Sequence, residues 1–144
     1  MKHWILLLAI LLGSPAWAEP LSASKPATLR QAVDDLTLAA ANRDLVLVKV
    51  QPIDSALVKR GFEDPHVRIL FIGNETAVRW AEAADARLLN LLPLRLTLME
   101  REGRVTVLSD DFAHWLGEFD GEARAFLLAW QAELRLVLDD YERQ

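Results

Sequence analysis

The chain reads as a two-layer α+β sandwich, with a mainly antiparallel four-stranded sheet, helices on one face and an added C-terminal helix. Three observations lead there. Leu94, Leu96 and Leu98 alternate with Arg95, Thr97, Met99 and Arg101, and Val105 and Val107 alternate with Arg104 and Thr106. This period of two describes strands with one dry and one wetter face. Glu102-Gly103 separates the two runs as a hairpin turn would. Residues 28–42 and 122–143 instead repeat their apolar residues at steps of three and four, the period of amphipathic helices that can cover the dry face.

The elements follow in order. Residues 1–18, MKHWILLLAILLGSPAWA, have a short basic start, an apolar run from Trp4 to Leu12, a Gly-Ser-Pro break and small residues at Ala16 and Ala18. That is the pattern of a secretory signal peptide cleaved after Ala18. The apolar run is far shorter than the roughly 17–25 residues a bilayer span needs. Residues 19–27, with two prolines and two serines, read as a flexible leader. Residues 28–144 then form one domain, a natural size for a single core. Thr28 and Gln31 fit a capping box at the start of a helix with Leu29, Val33, Leu36 and Ala40 on one face, ending near Asn42.

LVLVKVQPI from Leu45 is a strand ended by Pro52. Residues 53–61 read as a short helix closed by Gly61, and VRILFIG as the second strand. NETAVRWAEAADARLL reads as one helix capped by Asn74, with Trp80 on its buried stripe beside Ala77, Ala81 and Ala84. After the 94–107 hairpin comes a helical turn in SDDFAHWLGEFDGE. A long helix over about 121–143 closes the chain, with a stripe of Ala123, Phe126, Leu127, Trp130, Leu134, Val137, Leu138 and Tyr141.

Composition removes whole classes of function. There is no cysteine, hence no lipid-modified cysteine, disulfide, thiol nucleophile, covalent haem or thiolate metal site. The net charge is −5, and −6 once residues 1–18 and their single Lys2 are gone, which disfavours nucleic acid as a partner. No serine sits in a nucleophile elbow, and His66 in its Asp-Pro-His turn suits a solvated imidazole.

The residues also carry a family resemblance. ILFIGN at 69–74, Leu92-Pro93-Leu94-Arg95, Glu102-Gly103, Val105-Thr106-Val107 and Asp110-Asp111 occur in an order and spacing similar to the domain of unknown function 302 family, as does Ile53-Asp54-Ser55-Ala56. The resemblance spans about 28–112 and leaves the C-terminal helix outside. Ile72 stands where the family often has Phe, Glu75 replaces a Pro, and Ser55 replaces a His. The family often opens with a strand, for which the leader 19–27 is a poor candidate. The resemblance implies a compact two-layer fold and the option of a dimer, and it implies no activity.

Candidate sites are few. Arg95, Arg101 and Arg104 share the polar sheet face by alternation, with Lys49 and Arg68 as neighbours. In an acidic chain such a face suits an anionic small molecule or an acidic partner; the plain alternative is that Lys and Arg protect exposed strands from aggregation. The Gly73-Asn74 turn is a second binding candidate, although one glycine without a Lys or Ser is no phosphate loop. Asp110, Asp111 and His114 are the weak candidates for a divalent metal, since positions i and i+4 share a helix face. Their simpler role is to cap and flank the following turn. Asp34-Asp35 and Asp139-Asp140 read as solvated faces, and Glu118 with Asp120 as a remote glycosidase-type pair. The resulting expectation is an exported, periplasmic, non-enzymatic module without cofactor that binds a small anionic ligand or a protein partner. A metal-dependent protein or enzyme using Asp110, Asp111 and His114, and a structural homodimer, are the alternatives.

Overall fold

The computed structural model describes residues 21–52 and 64–144. Residues 1–18, read as a signal peptide, and the helix expected at 53–61, with the family-like stretch around Ser55, lie outside the described residues. The elements are β1 (Leu21–Pro26), α1 (Leu29–Ala41), β2 (Val46–Pro52), β3 (Val67–Gly73), α2 (Glu75–Ala84), β4 (Leu94–Arg101), β5 (Arg104–Ser109) and α3 (Gly121–Arg143). Short 3-10 segments occupy Ala86–Leu91 and Phe112–Trp115.

The strands form one five-stranded sheet in the order β1-β5-β4-β3-β2, every pair antiparallel. The fifth strand corrects the sequence reading, which places residues 19–27 in a flexible leader and counts four strands. Small residues hide β1, since Ser22, Ala23 and Ser24 have little strand propensity. Its partner supplies what local propensity lacks. Leu21, Ala23 and Lys25 pair with Ser109, Val107 and Val105 and turn toward the helices. Pro26 is tolerated because it ends an edge strand.

The β4–β5 hairpin forms as the alternation requires. Glu102 (φ 51) and Gly103 (φ 73) make the two left-handed positions of its tight turn, the second at no steric cost to glycine. Leu94, Leu96, Leu98, Val105 and Val107 are buried with Leu70 and Ile72. Over them lie α1 and α3. The Thr28–Gln31 capping box starts α1, and every residue of the expected α3 stripe is buried.

The helix read over 74–89 divides. Asn74 caps it as expected, but α2 stops at Ala84, and Asp85 starts the 3-10 segment by accepting the N–H of Arg87 at 2.9 Å. Asp85 also pairs with the Arg87 guanidinium, and these hydrogen bonds hold its carboxyl below the usual range. Trp80 is more exposed than its stripe suggests, at 39%, and meets the edge of Phe126 at 5.2 Å.

Among the described residues, Lys25 is the one charged side chain buried on the covered face. Its ammonium sits 2.5 Å from Asp35 and 4.6 Å over the ring of Tyr141. Tyr141, fully buried, donates its hydroxyl to the Val105 carbonyl at 3.2 Å. One residue on, Glu142 accepts the Ser24 N–H at 2.9 Å. The end of α3 thus fastens β1 from the side. Asp35 and Asp140, read as solvated, are both paired: Asp140 with Arg143 and, at 3.0 Å, with Arg43.

Burial, and then the nearby Asp35 carboxylate, push the Tyr141 phenol from 10.0 up to about 12. The fold therefore keeps this proton where the unfolded chain loses it. The stabilisation is complete below pH 10 and is lost as pH rises toward about 12. Tyr141 is the sole tyrosine, so tyrosinate absorbance reports it directly. Ionisation near pH 12 is expected, and Tyr141→Phe should remove that alkaline loss of stability; ionisation near the ordinary value contradicts it.

Candidate functional site

The face of the sheet opposite the helices divides into two ends. Register pairs Arg101 with Arg104 at the hairpin end. Both are engaged locally: Arg101 lies 3.5 Å from Asp64 and donates to the Glu100 carbonyl, and Arg104 donates to the Ser24 carbonyl at 3.2 Å. At the far end Lys49, Phe71 and Arg95 form one row across β2, β3 and β4. Six residues of strand put Arg95 about 20 Å from Arg101. Between the two ends the face carries Ile69, Thr97, Met99, Thr106 and Leu108, all half-buried. The basic residues are therefore two separate pairs rather than one patch.

Arg68 belongs to neither. It pairs with Leu98 on the helix-covered side and donates to the carbonyls of Pro65 and Val67. VRILFIG carries apolar residues on both faces, so alternation could not set its phase.

Among the described residues, two neighbouring cavities lie at the Arg95 end. The first, about 270 Å³, is lined by Phe71, Asn90, Arg95, Ser109 and Asp110 among others. Asp110 follows the Leu96–Ser109 pair, one step beyond the ladder. Neither Arg95 nor Asp110 forms an ion pair among the described residues. The second cavity, about 440 Å³ and predominantly apolar, is lined by Val46, Val48, Gly73, Val78, Leu89 and Trp130, with Asn74 and Glu75. Leu92 and Pro93 line both, so the cavities share a wall.

Local chemistry explains this corner. Gly73 ends β3 with its α-carbon turned to Pro93; an added Cβ would meet the Pro93 Cβ at 3.5 Å. Asn74 uses both ends of its side chain for the fold: Oδ1 accepts the Ala77 N–H at 2.7 Å and Nδ2 donates to the Asp44 carbonyl at 3.3 Å. Gly73 and Asn74 thus build the cavity wall, and Asn74 has little left to offer a ligand. Val46, Val48 and Val50 are exposed on the edge strand β2, Val46 by 60%. The sequence reading missed Val46, Val48, Val78, Leu89 and Asn90 as site residues. The signal was three valines in a strand whose edge position appears only with the topology. Trp130, read as core, is indeed buried and reaches the cavity wall, and its indole N–H has no hydrogen-bond partner among the described residues.

The metal alternative does not assemble. Asp111 caps the Phe112–Trp115 segment by accepting the Ala113 N–H at 2.8 Å. The segment is 3-10, where residues three apart align, so the i, i+4 geometry assumed for Asp110 and His114 is absent. The His114 ring rests 4.9 Å from Trp115. Among the described residues, no three His, Asp or Glu side chains form a group that could hold a metal ion. Glu118 and Asp120 are both exposed, and both support the charge of Arg87 after its main partner Asp85. No helix among the described residues is long and apolar enough to cross a membrane.

The comparisons with known proteins concern family and fold. The family model described as "Domain of unknown function DUF302" matches residues 21–139. The match includes β1 and most of α3, so the family-like region is longer than the 28–112 read from motifs. No curated protein is significantly similar. A crystal structure of an uncharacterised conserved DUF302 protein from Bacillus stearothermophilus superposes with a TM-score of 0.75 at 12% identity, covering 86% of this chain and 98% of that one. At that identity the likeness is one of fold.

Proposed function

The chain belongs to the domain of unknown function 302 family, which brings no activity with it, and from the Arg95 end of the sheet we propose a non-enzymatic module that binds a small anionic ligand. The observation that carries this reading is Arg95 itself. Its guanidinium lines a cavity with Asn90 and Asp110 and has no ion-pair partner among the described residues, whereas Arg101 is paired with Asp64. A guanidinium presents a rigid fork of donors suited to a carboxylate. Lys49, in the same row, adds a second positive charge roughly 10 Å away across two strand spacings.

Small carboxylates should stabilise the protein against heat. At about ten times Kd the expected gain is about 1.4 kcal/mol, a shift of several degrees for a domain of this size. Arg95→Ala should abolish that shift, and Arg101→Ala should leave it intact. Absence of any shift, or a loss caused by Arg101→Ala instead, overturns the assignment.

The module is further proposed to act outside the cytoplasm, on the strength of the three-part pattern in residues 1–18. Expressed as the full chain in a two-membrane bacterium, it should be recovered from the periplasmic fraction with a mass beginning at Glu19. A cytoplasmic product that retains Met1 contradicts export.

A further inference from the structure

We propose that the ligand is a single-headed amphiphile, its anionic head held at Arg95 and its apolar body lying in the neighbouring cavity beside Gly73. This rests on the anion-binding reading and adds the chemical class. The head cavity alone, about 270 Å³, is below the roughly 300–1,000 Å³ of small-ligand sites. The apolar cavity, about 440 Å³, is within that range. Leu92 and Pro93 line both, which makes the two cavities immediate neighbours, and the proposed molecule crosses the Leu92–Pro93 ridge between them.

Charge sets the orientation. Glu75 stands at the apolar cavity and pairs with Arg79, and no Lys or Arg is among the described residues that line it. An anionic head is therefore disfavoured in that cavity and favoured beside Arg95. Asp110 shares the Arg95 cavity and opposes a second negative charge, so the head is monoanionic. The apolar walls come from Val46, Val48, Val78 and Leu89, all of them exposed in the chain as it stands. Covering such surface with a ligand's hydrocarbon is favourable in proportion to the area removed from water.

The test is calorimetric titration of the purified protein with straight-chain carboxylates from acetate to octanoate. Affinity is expected to rise about fourfold for each methylene buried. Val78→Trp fills the cavity from an exposed helix position; it should flatten the series to the acetate value while acetate itself still binds. Val48→Trp, from the exposed edge strand, provides the same block should the first variant not fold. Arg95→Ala should weaken every member. If acetate binds and octanoate binds no more tightly, or if both tryptophan variants preserve the chain-length gain, the amphiphile inference is overturned and the anion reading stands. If no carboxylate binds, the anion reading itself falls, and this inference with it.

Discussion

Among the described residues, helices cover the sheet on one side, and the C-terminal helix is the element through which most of that covering is organised. Eight side chains of α3 are buried, from Ala123 to Tyr141. Large apolar side chains contribute roughly 1.5–3 kcal/mol each on full burial, whereas a solvent-accessible ion pair such as Arg43–Asp140 is screened by water and contributes far less. Packing, not charge, therefore holds α3 on the sheet. The ion pairs fix where its end lies. That end matters because Tyr141 and Glu142 reach β1, so a strand of small residues with little propensity of its own is locked to β5 and to the helix layer together.

The two edges of the sheet are consequently treated differently. At β1 the edge N–H of Ser24 is taken up by Glu142. At β2 the exposed side chains are Val46, Val48, Lys49 and Val50. Exposed apolar residues on an edge strand are a liability in a monomer unless something is meant to cover them. Here Val46 and Val48 line the predominantly apolar cavity at the corner where β3 turns into α2. The same Trp130 that anchors the middle of α3 forms part of its wall. Fold and proposed site therefore share a wall, and the exposed Val46, Val48 and Val78 line the cavity that neighbours Arg95.

Much of the fold was legible because period alone identifies it. The β4–β5 alternation, the Thr28–Gln31 box, the Asn74 cap and the whole α3 stripe stand where the residues place them. The failures have separate causes. β1 depends on a partner more than 80 residues away in sequence, as Ser24 with Thr106 shows. The end of α2 was missed because Asp85 competes for the backbone by capping a new 3-10 turn. Arg68 was given the wrong face because β3 is apolar on both. Of the site, Arg95 and Lys49 could be named from alternation and composition. The apolar cavity could not, because its lining comes from β2, α2, the 86–93 segment and α3, and only the tertiary arrangement brings these together.

The claim that one end of the sheet binds a monoanionic amphiphile is tested most directly by mapping where a ligand sits. Octanoate added to isotopically labelled protein should shift the backbone resonances of Arg95 and Asp110 together with those of Val48, Val78 and Leu89, in one saturable process. The hairpin at Arg101–Arg104 should stay silent. Shifts concentrated at that hairpin, or spread without saturation over the open sheet face, would contradict the claim.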